Sequence, residues 1–397
     1  MKANMCVKAP RTTLWEGRLA FRSLLSALLA LALVVGCGPS SEELESVDYA
    51  PLAGAGLEVS TPSDVGLDPM AVAELYLNAA QLRTLYGLLV IKDGQLVAEK
   101  YFNGSAIDKR KFMASATKSF TSALVGIARD QGCLSSVDQG FMEFFPEYDD
   151  RIDDPRKAQI TIRDLLQMRS GFVWEERTEP YMEALFTSRG YWLPFIADFP
   201  LTSDPGAKFG YSNLSSHLLA VIVARACETD LRTFAQEHLF APIGAEVGDW
   251  SQDADGNYYG AHGMPLTARD MARFGLLYLN SGEYEGNQVV SADWVSESLD
   301  RYSESINISG WLPWSSRYGH YRDLGYGYQW WSASAGDHQF NYASGHGGNQ
   351  IIVLDDLNMV IVASADRLFA DFGDGAWGRE RAIIDMLGKY IGSLPSP

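Results

Sequence analysis

Met113-Ala114-Ser115-Ala116-Thr117-Lys118-Ser119-Phe120 opens an apolar run at Met113, Ala116, Phe120, Leu124 and Ile127, which has the spacing of one helix face. Gly132, just past the run, is a natural stop. Positions three apart share a face of a helix, so Ser115 Oγ and Lys118 Nζ can meet. That is the arrangement of a hydroxyl nucleophile beside an amine base. A helix N-terminus adds a partial positive field where an oxyanion would develop. S-x-x-K is short enough to arise by chance, so the remainder of the chain decides its meaning.

Working outward, Tyr86–Lys92 and Gln95–Phe102 flank Asp93-Gly94, a hairpin signal. Downstream the pattern is helical. Thr161-Ile162-Arg163-Asp164 and Thr267-Ala268-Arg269-Asp270 read as capping boxes, the first opening a helix that stops near Ser170-Gly171 and the second one that runs to about Asn280. Leu214–Glu228 is apolar nearly all round, the mark of a buried helix. Strand patterns return at Gly327–Ser332, Gln339–Ser344, Gln350–Asp355 and Met359–Ala363, before a last helix from about Arg379 to Tyr390. Strands at both ends with helices between predict an α+β architecture. One antiparallel sheet is built from the two termini (61–115 and about 290–397), with a mainly helical insert, about 116–290.

The N-terminus stands apart. Lys2, Lys8, Arg11, Arg18 and Arg22 precede an apolar stretch, Leu24–Val35, too short to span a membrane comfortably. Val34-Val35-Gly36-Cys37 resembles a bacterial lipobox. Residues 1–36 are therefore expected to be a lipoprotein signal peptide, Cys37 the lipidated first residue, and 37–60 a polar tether. The expected location is the bacterial cell envelope, at the outer membrane facing the periplasm if the host is Gram-negative. The chain of 397 residues has a formal charge of −18. Without residues 1–36, 27 basic residues remain against 49 acidic ones, or −22. That balance disfavours nucleic acid and anionic lipid surfaces as partners. Cys133 and Cys227 are left over, and are expected as two separate buried thiols.

Two further motifs follow the serine. Tyr211-Ser212-Asn213 comes after the turn Asp204-Pro205-Gly206, and Ser212 or Asn213 can cap the buried helix. His346-Gly347-Gly348 begins the strand Gln350–Asp355, and its glycines would let a ligand lie close to the strand edge. The next amide, Asn349 N–H, can join Ser115 N–H in an oxyanion hole.

S-x-x-K, Y-x-N and H-x-G, in this order, resemble the serine β-lactamase-related hydrolases. That family includes class C β-lactamases, penicillin-binding D,D-peptidases, esterases and 6-aminohexanoate-dimer hydrolases. The resemblance extends through ITIRDLLQMRSG (160–171), PGAKFGYSN (205–213), LTARDMARFGLLYL (266–279) and ASGHGGNQIIVL (343–354). Gly345-His346-Gly347-Gly348-Asn349 places it nearest the 6-aminohexanoate-dimer hydrolase and esterase-like branch. The resemblance implies that Ser115 is acylated, that Lys118 with Tyr211 takes its proton, that Tyr211 passes it to the leaving group, and that Asn213 bonds Lys118 and substrate. His346 in place of a lysine implies uncharged or zwitterionic small esters and amides rather than β-lactams, unless Arg322 or Lys208 supplies a cation. The alternatives are a β-lactamase or D,D-peptidase acting on D-amino-acid-containing stems, and a non-catalytic anchored binding protein.

Other signals point elsewhere and fail. G-x-S-x-G is missing, the six histidines lack metal-ligand spacing, and neither metal nor cofactor is expected. Gly373–Gly378 matches G-x-G-x-x-G, but too little chain follows for a dinucleotide fold, so it reads as a loop. In 174–192, which falls where relatives carry a loop over the site, Glu175 and Tyr181 read as solvated loop residues rather than substrate contacts. The aromatic run from Trp311 to Tyr321 reads equally as strand core or pocket rim.

Overall fold

The computed structural model describes residues 38–52, 54, 56–308, 319–366 and 374–396. The signal segment 1–36, Cys37, Trp311, Trp314 and Tyr318 lie outside the described residues. The helices used below are α1 (Pro69–Ala79), α2 (Thr117–Asp130), α3 (Ile162–Leu166), α4 (Glu179–Thr187), α5 (Asn213–Ala226), α6 (Ala268–Leu279) and α7 (Asp374–Ile391).

Asp93 and Gly94 hold φ of 53° and 77°, the two positive values that a two-residue hairpin of this twist requires. They join β1 (Leu85–Lys92) to β2 (Gln95–Tyr101). The C-terminal part adds β3 (Arg322–Tyr326), β4 (Trp331–Ala335), β5 (His338–Gly345), β6 (Asn349–Leu354) and β7 (Met359–Ala365). The seven strands lie in the order β2-β1-β7-β6-β5-β4-β3, all neighbours antiparallel. The β1–β7 register runs from Leu85↔Ala365 to Lys92↔Met359, so the two ends of the domain close one sheet, as the strand-rich termini implied.

The central strands are apolar without alternation because both faces are covered. Leu88, Val90, Ile352 and Ile361 pack on one face with Val72 and Tyr76 of α1 and Ile383 and Leu387 of α7. Leu89, Ile91, Ile351 and Val360 pack on the other with Phe120 and Leu124 of α2 and Phe274 of α6. Each such side chain, fully buried, contributes about 1.5–3 kcal/mol. Phe120 stacks on Phe274 at 3.7 Å between ring centres. Both expected capping boxes form, Thr161 with Asp164 and Thr267 with Asp270.

Four expectations are corrected. The strand read at Gly327–Ser332 begins only at Trp331. Gly327 N–H bonds Trp330 O, and Gln329 holds φ 60°, so the chain turns there. The glycine-rich segment is helical from Asp374, with Gly375 and Gly378 inside α7. The flexible tether expected over 37–60 does not extend past Ser46. After the short helix Ser41–Glu45, the chain from Val47 onward is bonded to the domain: Glu99 N–H to Tyr49 O, and Leu96 and Ser60 amides to Glu58 O and Leu96 O. Cys133 and Cys227 are not separate thiols but a disulfide with Cα atoms 5.1 Å apart across 94 residues. One cysteine follows the end of α2 and the other caps α5, two helices that pack together.

Candidate active site

Ser115 lies in a 3₁₀ turn, Ala114–Ala116, that runs straight into α2. Ala114 holds φ 50°, a left-handed conformation that costs a residue with a Cβ of order 1–3 kcal/mol and persists only where its surroundings impose it. Gly345, ending β5, is one such neighbour. A Cβ there would collide with the Met113 carbonyl oxygen, so its missing side chain lets the strand back directly onto the turn that carries Ser115.

Lys118, one helical turn on, is 1 % exposed. Its Nζ donates to Ser115 Oγ at 2.9 Å, Asn213 Oδ1 at 2.9 Å and Ala261 O at 3.0 Å. Burial lowers its pKa from 10.5 to about 8, with Glu176 and then Glu175 pulling the other way. Tyr211, 2 % exposed, stands among Trp331, Tyr326 and Trp174, its ring centre 4.8 Å from Lys118 Nζ. Burial holds its phenol well above the usual value, Glu176 adds to that, and a hydrogen bond with Ser115 opposes it. At neutral pH the phenol therefore keeps its proton. Asn213 opens α5, where Ser212 caps Ser215 N–H at 3.1 Å.

The third motif is built differently from its sequence reading. β6 lies inside the sheet between β5 and β7, so no strand edge is free there. Gly347 and Gly348 hold φ of 91° and 95°, and they face α7 rather than a ligand. Gly347 N–H donates to Glu380 Oε2 at 2.8 Å, and a Cβ on Gly348 would press on Ile383. Asn349 is fully buried, its side chain taking Ala365 N–H and donating to His346 O. Of this motif only His346 lines the cleft. Its Nδ1 is 2.7 Å from Glu380 Oε2, so any charge on the ring is balanced from within the protein.

A cleft open to solvent lies beside Ser115. Met182, Leu185 and Phe186 of α4 and Trp192 form an apolar wall, and Ser115, Glu176, Asn213, His262 and His346 supply the polar groups. Trp192 is set edge-on against His217 and Tyr259. Neither Arg322 nor Lys208 lines the cleft. Tyr181 packs on Phe199 instead of facing it. Glu175, read as solvated, is fully buried: it accepts from Ser212 Oγ at 2.7 Å and from the Asn213 and Leu214 amides at the start of α5. Burial pushes it up to about 7 despite these bonds. Glu176 is the site residue the sequence reading passed over. The one available signal was a paired acid, Glu175-Glu176, inside the segment that covers the site.

A nucleophile turn packed on an antiparallel sheet, a buried lysine on the serine and a tyrosine beside both define a serine hydrolase of the β-lactamase/transpeptidase-like fold. A family model described as "Beta-lactamase" matches residues 79–384, and the chain belongs to that family. It is similar to the 6-aminohexanoate-dimer hydrolase of Paenarthrobacter ureafaciens, with 28% identity over 225 residues, 53% of this chain and 56% of that protein. A putative D-alanyl-D-alanine carboxypeptidase of Escherichia coli K12 is 28% identical over 178 residues, 40% of this chain and 41% of the other. The chain thus spans about half, or less, of the length of these curated relatives. Among solved structures, a putative 6-aminohexanoate-dimer hydrolase from Bacillus anthracis superposes with a TM-score of 0.63 at 22% identity, covering 81% of this chain and 83% of the other. EstCE1, titled a hydrolase with promiscuous acyltransferase activity, gives 0.61 at 13% identity, over 80% and 97%. At these identities the two structures speak for the fold.

Proposed function

We propose that the protein cleaves small esters or amides through an acyl-enzyme on Ser115. The observation that carries this is the 2.9 Å hydrogen bond between Ser115 Oγ and a buried Lys118 whose pKa is brought down to about 8. In its neutral form Lys118 takes the Ser115 proton as Oγ attacks the carbonyl carbon. Tyr211, hydrogen bonded to the same serine, gives a proton to the departing alcohol or amine and regains one from Lys118. Water then hydrolyses the Ser115 ester.

The apolar wall of Met182, Leu185, Phe186 and Trp192, with neither lysine nor arginine among the described residues that line the cleft, supports an uncharged or zwitterionic substrate. The pairing of His346 with Glu380 supports the same choice, because the imidazole has no unbalanced charge to offer a carboxylate. Similarity to a 6-aminohexanoate-dimer hydrolase agrees with that class.

The test is covalent labelling by a fluorophosphonate together with a panel of aryl esters, linear amide dimers, D-amino-acid amides and a cephalosporin. Wild type should label on Ser115 and favour the esters or amides, and Ser115→Ala should neither label nor turn over any of them. Undiminished labelling of Ser115→Ala would remove the serine from the mechanism. A higher kcat/KM for the cephalosporin than for short-chain aryl esters would overturn the substrate class.

A further inference from the structure

Acylation as derived above leaves one carboxylate unused. Glu176 lines the cleft that Ser115 opens into. Its Oε1 accepts from Asn213 Nδ2 at 3.1 Å, while its Oε2 is shielded from solvent and has no hydrogen-bond partner among the described residues. A buried carboxylate oxygen left without a donor is costly, by about 1–3 kcal/mol or more, and calls for an explanation, a catalytic role among them. The neighbouring Glu175 offers a contrast, with both oxygens taken up by the start of α5.

The placement is specific. The Asn213 amide is held at both ends, by Lys118 on its oxygen and by Glu176 on its nitrogen. The two titratable groups therefore stand on opposite sides of one fixed amide. Lys118 reaches Ser115 Oγ from within the helix layer, and its other bonds go to Asn213 and Ala261. It does not line the cleft, where a hydrolytic water must stand; Glu176 does.

We propose that Glu176 is the general base of deacylation, its unpartnered oxygen taking a proton from the water that attacks the Ser115 ester. This rests on the acyl-enzyme reading above. The water oxygen bonds to the acyl carbon while its proton passes to Glu176 Oε2. The tetrahedral intermediate collapses, the bond from carbon to Ser115 Oγ breaks, and Oγ takes a proton from the Tyr211 phenol. Once the product acid has left, Glu176 loses its proton to solvent and Tyr211 regains one. The cycle closes with one water consumed.

The groups around Glu176 suit that role. Burial raises its carboxyl, while Lys118 from α2, the Asn213 amide and His346 from the β5–β6 turn lower it, and Glu380 from α7 raises it again. Glu175 precedes it in the chain, and His262 shares the cleft. A carboxylate lifted above its ordinary range is a stronger base towards water.

The experiment separates the two half-reactions. With a chromogenic aryl ester, Glu176→Gln should release about one equivalent of aryl alcohol in a burst and then turn over at least about 10²-fold more slowly than wild type. kcat and KM should fall together, leaving kcat/KM within a few-fold. Intact mass should show the acyl group accumulated on Ser115, and the acid limb of kcat belonging to Glu176 should vanish. Glu176→Asp should recover part of the turnover. The proposal is overturned if Glu176→Gln deacylates at the wild-type rate, or if its burst and its fluorophosphonate labelling slow as much as its turnover does, which is the mark of a positioning role. It is equally overturned if both variants lose activity through misfolding, seen as a lost cooperative melt. If rapid quenching of the wild type yields no Ser115 adduct, the acyl-enzyme reading itself fails.

Discussion

The pH dependence of acylation should report Lys118 directly. A lysine at its ordinary 10.5 is about 0.03 % neutral at pH 7, and one at about 8 is about 10 % neutral, roughly a 300-fold gain in available base. Acylation, read as the burst rate with an aryl ester or as the second-order rate of fluorophosphonate labelling, should therefore climb about tenfold per pH unit below 7 and level off above 8. Between pH 6 and pH 8 the expected rise is about 50-fold. Lys118→Arg, which cannot lose its proton, should be slower by at least about 10² and should lack this limb. The same burial acts on stability. Because the folded state holds the lysine below its unfolded value, charging it costs about 3 kcal/mol below pH 8, and that cost is relieved as pH rises from 8 towards 10.5. A flat profile in wild type, a limb near 10, or an unchanged limb in Lys118→Arg would refute the assignment of the base.

Two further outcomes concern the covalent chemistry of cysteines. Opening Cys133–Cys227 frees a loop of 94 residues, worth about 4–5 kcal/mol in the chain-entropy account, so a reductant or Cys133→Ser with Cys227→Ser should lower Tm by several degrees; an unmoved melt would show that the bridge contributes nothing. We further propose that Cys37 is lipidated, which should hold the wild type in the membrane fraction, with Cys37→Ser released or unprocessed; a wild type that is fully soluble and carries no lipid mass would refute the anchor.

The parts of this architecture legible in the sequence are those written in local pattern. The Ser115–Lys118 spacing, the Asp93-Gly94 turn and both capping boxes depend on residues a few positions apart, and all four stand in the structure. The features that were not legible depend on what the fold brings together. Glu175 looks like any loop acid until α5 presents its first amides to it, and Glu176 until Asn213 turns an amide nitrogen towards it. Nothing in the spacing of Cys133 and Cys227 says that two helices end side by side. His346 carries no local sign of Glu380, which arrives from a helix 34 residues later. In the sequence the glycines after it suggest room for a ligand, because nothing local announces that α7 packs against them.

The pairing of β1 with β7 bears on how the protein is made. Tyr86 hydrogen bonds to Asp366 across 280 residues, so β1 and β2 leave the ribosome long before their partner exists. Whether it emerges from the ribosome or from a membrane channel, the hairpin appears with one edge open until β7 follows. The helical segment can begin to condense in that interval, but the turn that carries Ser115 lacks the strand end at Gly345 against which it rests. The packing of the Ser115 turn against Gly345 is therefore completed late. A chain cut short before β5 would carry every residue of S-x-x-K and Y-x-N without the strand end that backs the Ser115 turn, and its exposed strands would make it a natural client for a chaperone.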